Sequence, residues 1–166
     1  MWSTNGPESN IYGLEPNYGC CTSNMHQGWP KFCSHLFMQA PEGGLAVIAY
    51  APSRARFQSG DVPVTVLADT EYPFREVVRL TVRSDRRISF PLFLRIPVWA
   101  KGATVRMEGD APQSVEPGTF HRVERVWDAE ARVEIRFPMR PRVSVRYNHA
   151  VSVERGPLVY GLAMGE

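Results

Sequence analysis

The sequence has little cysteine and no long apolar run. Only three of its 166 residues are cysteine, and two of these, Cys20 and Cys21, are adjacent. An odd number that includes an adjacent pair does not suit a disulfide framework, and free thiols favour a reducing compartment or a bound metal. No stretch reaches the about 18 apolar residues of a membrane-spanning helix. We therefore expect no disulfide scaffold and no membrane span.

An excess of either charge is also missing. The chain has 19 Lys and Arg against 17 Asp and Glu, which gives a net charge of +2. Its arginines alternate with apolar residues instead of forming one basic block, so nucleic acid is not an expected partner. Hydrophobic residues make up 43% of the sequence and charged residues 22%, which is typical of a globular protein.

The first residues lack the pattern of a secretory signal. "MWSTNGPESN" has neither a basic segment nor an apolar segment after it. Together with the free thiols, this predicts a cytoplasmic location. The first residues resemble a loop inside a domain more than the start of a domain. We therefore expect the chain to be a fragment of a longer protein.

One amphipathic helix is predicted early in the chain, within "GWPKFCSHLFMQA". Its apolar residues recur at the i, i+3, i+4, i+7 spacing of a helix that buries one face. These residues are Trp29, Phe32, Cys33, Leu36, Phe37 and Ala40. Pro30 suits a first turn, and "APEGG" at 40–44 would end the helix. Cys33 is therefore predicted to belong to the core.

Beyond Gly44 the apolar period becomes two. Val78, Leu80 and Val82 alternate with polar residues, as do the apolar residues of 133–137. About ten short strands separated by turn residues predict a mainly β fold, an antiparallel β-sandwich, over residues 43–166. We expect it to run into the start of a second sandwich. The segment 87–100 contains Pro91 and Pro97, which favours an edge or bent strand.

The cysteine pair permits three interpretations from the residues alone. In a turn before a helix, backbone N–H groups lower thiol pKa values, and a zinc ion would lower them further. Zinc usually takes four ligands, however, and the sequence shows neither a C-x-x-C nor an H-x-x-x-H spacing. Packing, a structural metal or redox clip, and a catalytic role for Cys20 and Cys21 all remain open.

Three segments resemble motifs of glycoside hydrolase family 127, the β-L-arabinofuranosidase-like enzymes. "YGCCTSNMHQGWPKF" resembles the cysteine-pair motif of that family, and "LFLRIPVWA" at 92–100 resembles one of its sandwich strands. "VERGPLVYGL" at 153–162 is similar to a third family segment. The three stand in the family's order and together cover nearly the whole chain.

The resemblance implies an (α/α)6 barrel that holds the active site, followed by β-sandwich domains. Residues 1–42 would be the C-terminal end of the barrel, and the predicted helix would be left over from it. The family works with retention through a cysteine nucleophile beside zinc, on L-arabinofuranosyl residues of glycans. By motif position, Cys20 would be both nucleophile and Zn2+ ligand, and Cys21 a second Zn2+ ligand.

The resemblance leaves part of the site without a counterpart. In the family, the remaining zinc ligands and the acid/base glutamate lie upstream, and neither Glu15 nor Cys33 matches them. The missing N-terminal barrel is therefore an expected partner, and the isolated chain is expected to be inactive. An incomplete barrel would also expose Trp29, Phe32 and Phe37, which predicts poor solubility or association.

An alternative is a non-catalytic sandwich that binds carbohydrate or serves only a structural role. Carbohydrate binding predicts an exposed aromatic platform formed by Trp99, Trp127 or Tyr147. Burial of these side chains would count against it.

Overall fold

The computed structural model describes residues 26–161, which fall into two compact units that divide between His35 and Leu36. The described part is mainly β, with thirteen strands in three sheets and one short α-helix near its start. This confirms the predicted fold class. No helix in residues 26–161 is long and apolar enough to cross a membrane.

Helix α1 (Gly28–Ser34) is about half as long as predicted. It ends at His35, whose backbone N–H donates to the Phe32 carbonyl at 3.1 Å. None of its residues is buried, and Cys33 is exposed. The prediction that Cys33 is a core residue is therefore wrong, because the helix stops before the apolar stripe continues into Leu36 and Phe37.

A β-hairpin takes the place of the expected second half of the helix. Strand β1 (Phe37–Ala40) pairs antiparallel with β2 (Gly44–Val47), a strand buried along its whole length. The turn between them places Glu42 and Gly43 at positive φ of 60° and 66°, which glycine adopts without strain. Cross-strand pairing and burial of β2 outweigh the helical spacing of the apolar residues.

The hairpin belongs to a four-stranded sheet. Its strands are, in spatial order, β1, β2, β6 (Ile88–Arg95) and β9 (Phe120–Trp127). The pairing of β2 with β6 is parallel, and the other pairs are antiparallel. Strand β6 is thus interior, so the prediction of an edge strand is wrong. Gly44 makes room for its proline, since a Cβ there would lie 2.6 Å from the Pro91 carbonyl oxygen.

The second sheet has six strands, all antiparallel. In spatial order they are β3 (Ser53–Ser59), β4 (Val62–Thr70), β5 (Val77–Ser84), β10 (Glu130–Arg136), β7 (Thr104–Met107) and β8 (Gln113–Ser114). Val78, Leu80 and Val82 are fully buried, while Arg79 and Arg83 face outward. The period-two alternation read from the sequence is therefore confirmed.

A single hydrophobic core joins the four-stranded and six-stranded sheets. Phe90 of β6 stacks on Trp127 of β9 with ring centroids 5.2 Å apart. Phe57 of β3, in the other sheet, meets Phe90 edge-on at 5.3 Å. The buried Trp127 donates its Nε1–H to the Phe90 carbonyl at 2.9 Å. The two sheets thus pack face to face as a sandwich.

A third sheet follows the sandwich. It consists of β11 (Pro141–Val145), β12 (Val151–Arg155) and β13 (Leu158–Tyr160), paired antiparallel in chain order. A 3-10 turn at Tyr147–His149 joins its first two strands.

Candidate functional site

The residues predicted to carry the chemistry precede the described part of the chain. Cys20 and Cys21 lie outside residues 26–161, so their assigned roles stay predictions. What the structure describes is the polypeptide that follows the cysteine pair. It allows the described side chains to be tested for the remaining parts of a zinc-dependent hydrolase.

The described residues by themselves contain no complete zinc site. No group of three His, Cys, Asp or Glu side chains in the described part could hold a metal ion. His35 contacts the end of its own helix instead, with Nδ1 2.6 Å from the Lys31 carbonyl oxygen and 3.0 Å from Ser34 Oγ. The two adjacent thiols fit zinc as donor atoms, but they are two of the usual four ligands.

Three carboxyl groups in the described part have lowered pKa values, which is the wrong direction for a general acid. The Arg86 side chain hydrogen-bonds to Asp61 and lowers its pKa, and the Arg83 side chain does the same for Glu130. The Ser152 hydroxyl, helped by nearby arginines, lowers the pKa of Glu154. A glycosidase acid needs a raised pKa so that it holds its proton near neutrality. None of these three side chains is suited to that role.

A charged cleft lies on the outer face of the six-stranded sheet. It encloses about 530 Å³, and one cross-strand row runs along it from Arg79 through Glu134 to Arg106. Glu134 Oε2 lies 3.4 Å from Arg79 Nε, and its Oε1 lies 3.1 Å from an Arg106 guanidinium nitrogen. This carboxylate is therefore compensated from both sides. This row is a network of ion pairs on a solvent-exposed sheet face. The row itself contains neither a nucleophile nor a general acid.

A smaller hollow of about 300 Å³ lies beside β9 and is lined in part by His121 and Arg122. Burial lowers the pKa of His121. Arg122 is held by Glu42 at 2.7 Å and Glu124 at 3.0 Å, with its guanidinium over the Phe93 ring at 5.6 Å. The arginine contacts fasten the β1–β2 turn to the outer face of the four-stranded sheet. Asp110 and Glu124 also line this hollow, and the Glu124 carboxylate is paired with Arg122.

The aromatic side chains do not form a common binding platform. Trp127 is fully buried, Trp99 is half-buried with its ring 6.0 Å from that of Phe137, and Tyr147 is 87% exposed on its own turn. The carbohydrate-binding alternative predicted an exposed platform formed by Trp99, Trp127 or Tyr147; the burial of Trp127 counts against it, whereas the exposure of Tyr147 does not.

Two of the three aromatic residues expected to be uncovered are exposed. Trp29 and Phe32 of helix α1 are exposed, whereas Phe37 is half-buried. Phe37 packs against the sandwich core because it belongs to β1 and not to the helix. Its expected exposure is therefore wrong.

Sequence comparison identifies the sandwich. The family model described as "Beta-L-arabinofuranosidase, GH127 middle domain" matches residues 44–139, which is more than half of the chain. This range begins with β2 and ends just after β10, so it spans the two packed sheets. No curated protein sequence matches the chain.

Solved structures share the fold. A GH127 β-L-arabinofuranosidase from Geobacillus stearothermophilus T6 is 27% identical with a TM-score of 0.75, over 84% of this chain and 23% of that one. A protein titled glycoside hydrolase is 24% identical with a TM-score of 0.79, over 95% of this chain and 28% of that one. The GH127 β-arabinofuranosidase BT3674 is 23% identical with a TM-score of 0.72, over 84% of this chain and 25% of that one.

This chain spans only about a quarter of the length of each of these structures. The match to the middle-domain model is what decides the family. With its two packed sheets at residues 44–139, the chain belongs to glycoside hydrolase family 127 and carries the middle domain of that family.

Proposed function

We propose that this chain is a fragment of a retaining, zinc-dependent glycoside hydrolase that releases L-arabinofuranosyl residues, with Cys20 as its nucleophile. The match of residues 44–139 to the GH127 middle domain carries the proposal. The cysteine pair stands directly upstream of that domain, in the motif that resembles the family's own. The Geobacillus stearothermophilus relative is titled a β-L-arabinofuranosidase. Unpaired thiols favour the cytoplasm as its location.

In this proposal Cys20 and Cys21 donate two thiolates to Zn2+. Zinc favours the deprotonated form of a coordinated thiol, which is the nucleophilic form. Two further ligands would come from the N-terminal barrel, as the family resemblance implies. The end of that barrel would lie before Leu36, because β1 (Phe37–Ala40) already belongs to the four-stranded sheet of the sandwich.

The reaction would proceed in two displacements. The Cys20 sulfur attacks the anomeric carbon, and the glycosidic C–O bond breaks while an upstream carboxylic acid gives its proton to the leaving oxygen. Water, deprotonated by the same carboxylate, then replaces the sulfur and restores the thiolate. Two inversions give net retention. Because the resemblance places this acid upstream, in the N-terminal barrel, we expect the isolated chain to be inactive.

The test uses the full-length protein with three single substitutions. Cys20→Ser should lower turnover of an aryl β-L-arabinofuranoside by at least about a thousandfold, the scale of losing an activated nucleophile, while far-UV circular dichroism stays unchanged. Cys21→Ser should reduce bound zinc, measured by elemental mass spectrometry. Cys33→Ser is the matched control, because Cys33 is exposed on α1 and should leave both zinc content and turnover unchanged.

Two results would contradict the proposal. If Cys20→Ser unfolds the protein, the pair is a structural clip. If the purified 166-residue chain hydrolyses the same substrate, the acid and the missing ligands cannot reside upstream.

A further inference from the structure

The outer face of the six-stranded sheet is rich in arginine. Every second residue of a strand points to the same face, so arginines that are dispersed in the sequence come together on the folded sheet. Two neighbouring cross-strand rows show this. One row consists of Arg54, Leu67, Thr81 and Arg132, and the other of Arg56, Thr65, Arg83 and Glu130. We call these eight residues the arginine patch.

The arginine patch carries more positive charge than the chain as a whole. Its four arginines and its single carboxylate, Glu130, leave it with a net charge of +3, against +2 for all 166 residues. Glu130 lies 2.9 Å from Arg83 and 3.1 Å from Arg132. Glu108, which lies outside the patch, is 3.6 Å from Arg132. Acidic side chains therefore compensate the β5 and β10 side of the patch.

The β3 side of the patch is not compensated. Arg54 and Arg56 are both exposed, and neither forms an ion pair with a carboxylate of residues 26–161. They lie on β3, which is an edge strand of its sheet, so both guanidinium groups can be approached from above and from the side. Two adjacent positive charges that repel each other and have no acidic neighbour would be stabilised by an anionic ligand.

The shape of the patch suits an extended chain. Its two rows lie about 7 Å apart along the strands and cross four strands, a width of about 14 Å. Thr65, Leu67 and Thr81 are half-buried, so they form a low floor between the exposed arginines. The patch is therefore a flat strip with guanidinium groups at its margins and hydroxyl groups between them.

We propose that the arginine patch binds a glycan chain that carries uronic-acid carboxylates. The planar guanidinium group of arginine binds a carboxylate through two parallel hydrogen bonds, and no lysine occurs in the patch. The hydroxyl groups of Thr65 and Thr81 can donate to sugar hydroxyls and accept from them. The choice of a glycan over other carboxylate polymers rests on the proposed function, since a glycoside hydrolase acts on sugar chains.

A nucleic acid fits this surface less well. Single strands bind proteins largely by stacking their bases on aromatic rings, and the patch contains no aromatic residue. The major groove of DNA admits a helix or a two-stranded ribbon, whereas the face of a six-stranded sheet reaches only the phosphates. The Glu130 carboxylate would also repel a closely spaced row of phosphates.

The experiment measures binding of a galacturonic acid oligomer to the full-length protein by isothermal titration calorimetry at low and high salt. The affinity should fall as salt screens the charges, and the methyl-esterified oligomer, which lacks carboxylate charge, should not bind. Combining Arg54→Gln with Arg56→Gln should weaken binding by about tenfold or more. The matched control combines Lys101→Gln with Arg140→Gln, which removes two exposed positive charges outside the patch and should leave the affinity unchanged.

Several results would overturn the proposal. Equal weakening by the two double variants would mean that the overall charge of the protein attracts the oligomer. Absence of binding at low salt, or equal binding of the methyl-esterified oligomer, would exclude recognition of carboxylates. Tighter binding of a single-stranded oligonucleotide, lost in the patch variant, would assign the patch to nucleic acid. Turnover is not measured, so failure of the Cys20 chemistry leaves these readouts unaffected, and failure of binding leaves the hydrolase proposal standing.

Discussion

The position of Trp127 favours a structural role for this residue over sugar binding, because its indole is fully buried between the sheets. It stacks on Phe90 at 5.2 Å and donates Nε1–H to the Phe90 carbonyl. Trp127→Ala removes this ring from the core and leaves a cavity, which costs about 3–5 kcal/mol. Because domains of this size are stable by about 5–15 kcal/mol in total, the variant should lose a large part of its stability.

A second substitution isolates the polar contribution. Trp127→Phe keeps an aromatic ring against Phe90 but removes the indole donor, and a buried carbonyl that loses its partner costs about 1–3 kcal/mol. Urea unfolding followed by far-UV circular dichroism measures both variants without relying on tryptophan fluorescence. With a slope of about 2 kcal/mol/M, the midpoint should fall by about 2 M for Trp127→Ala and by about 1 M for Trp127→Phe.

The control is Tyr147→Ala, which alters an aromatic ring that is 87% exposed. Its free energy of unfolding should match that of the unsubstituted chain within about 0.5 kcal/mol. If Trp127→Ala unfolds at the same urea concentration as Tyr147→Ala, Trp127 is not part of the core, and the reasoning about sheet packing fails.

Further predictions concern the turn, the charged cleft and the third sheet. Gly44→Ala should lower the melting temperature by roughly 10 °C, since the new Cβ would overlap Pro91 at a cost of about 2–3 kcal/mol; an unchanged melting curve would contradict this packing. Glu134→Gln should destabilise by about 1 kcal/mol at low salt and less at high salt, because two arginines lose a shared partner; equal destabilisation at both salt concentrations would argue against the network of ion pairs. The lowered pKa of Glu154 means that the unfolded state binds more protons in acid, so its contribution is present above pH 4.5 and is lost as the pH falls. Glu154→Gln should reduce this acid sensitivity, and a melting profile with the same pH dependence would refute the assignment.

Strand alternation was readable from the sequence because it follows from local geometry. Leu80 and Ile135 are buried as their period-two positions predict, each between outward-facing polar residues. Strand β3 (Ser53–Ser59) shows the same pattern, since its Ala55 and Phe57 alternate with arginines. What no local pattern contains is the register between strands, and the row from Arg79 to Arg106 exists only through that register.

The errors arise where tertiary pairing overrides local preference. The apolar spacing through Phe37 suits a helix, but this segment pairs with the fully buried β2 and becomes a strand. Pro91 suggested an edge, yet Gly44 opens enough space for it inside the sheet. The predicted site residues, Cys20 and Cys21, lie outside residues 26–161, and no group of three His, Cys, Asp or Glu side chains within that range could hold a metal ion.

The parallel pairing of β2 with β6 also determines how the sandwich unfolds. The connection between these two strands, residues 48–87, is not a free loop, since it forms β3, β4 and β5 of the opposite sheet. One sheet therefore cannot separate without pulling on strands of the other, so the middle domain should behave as a single cooperative unit. Its folding nucleus must close this long connection before the four-stranded sheet can form, which makes folding slow relative to that of proteins built from local contacts. During synthesis, the sheet can be completed only after Trp127, at the end of β9, has left the ribosome.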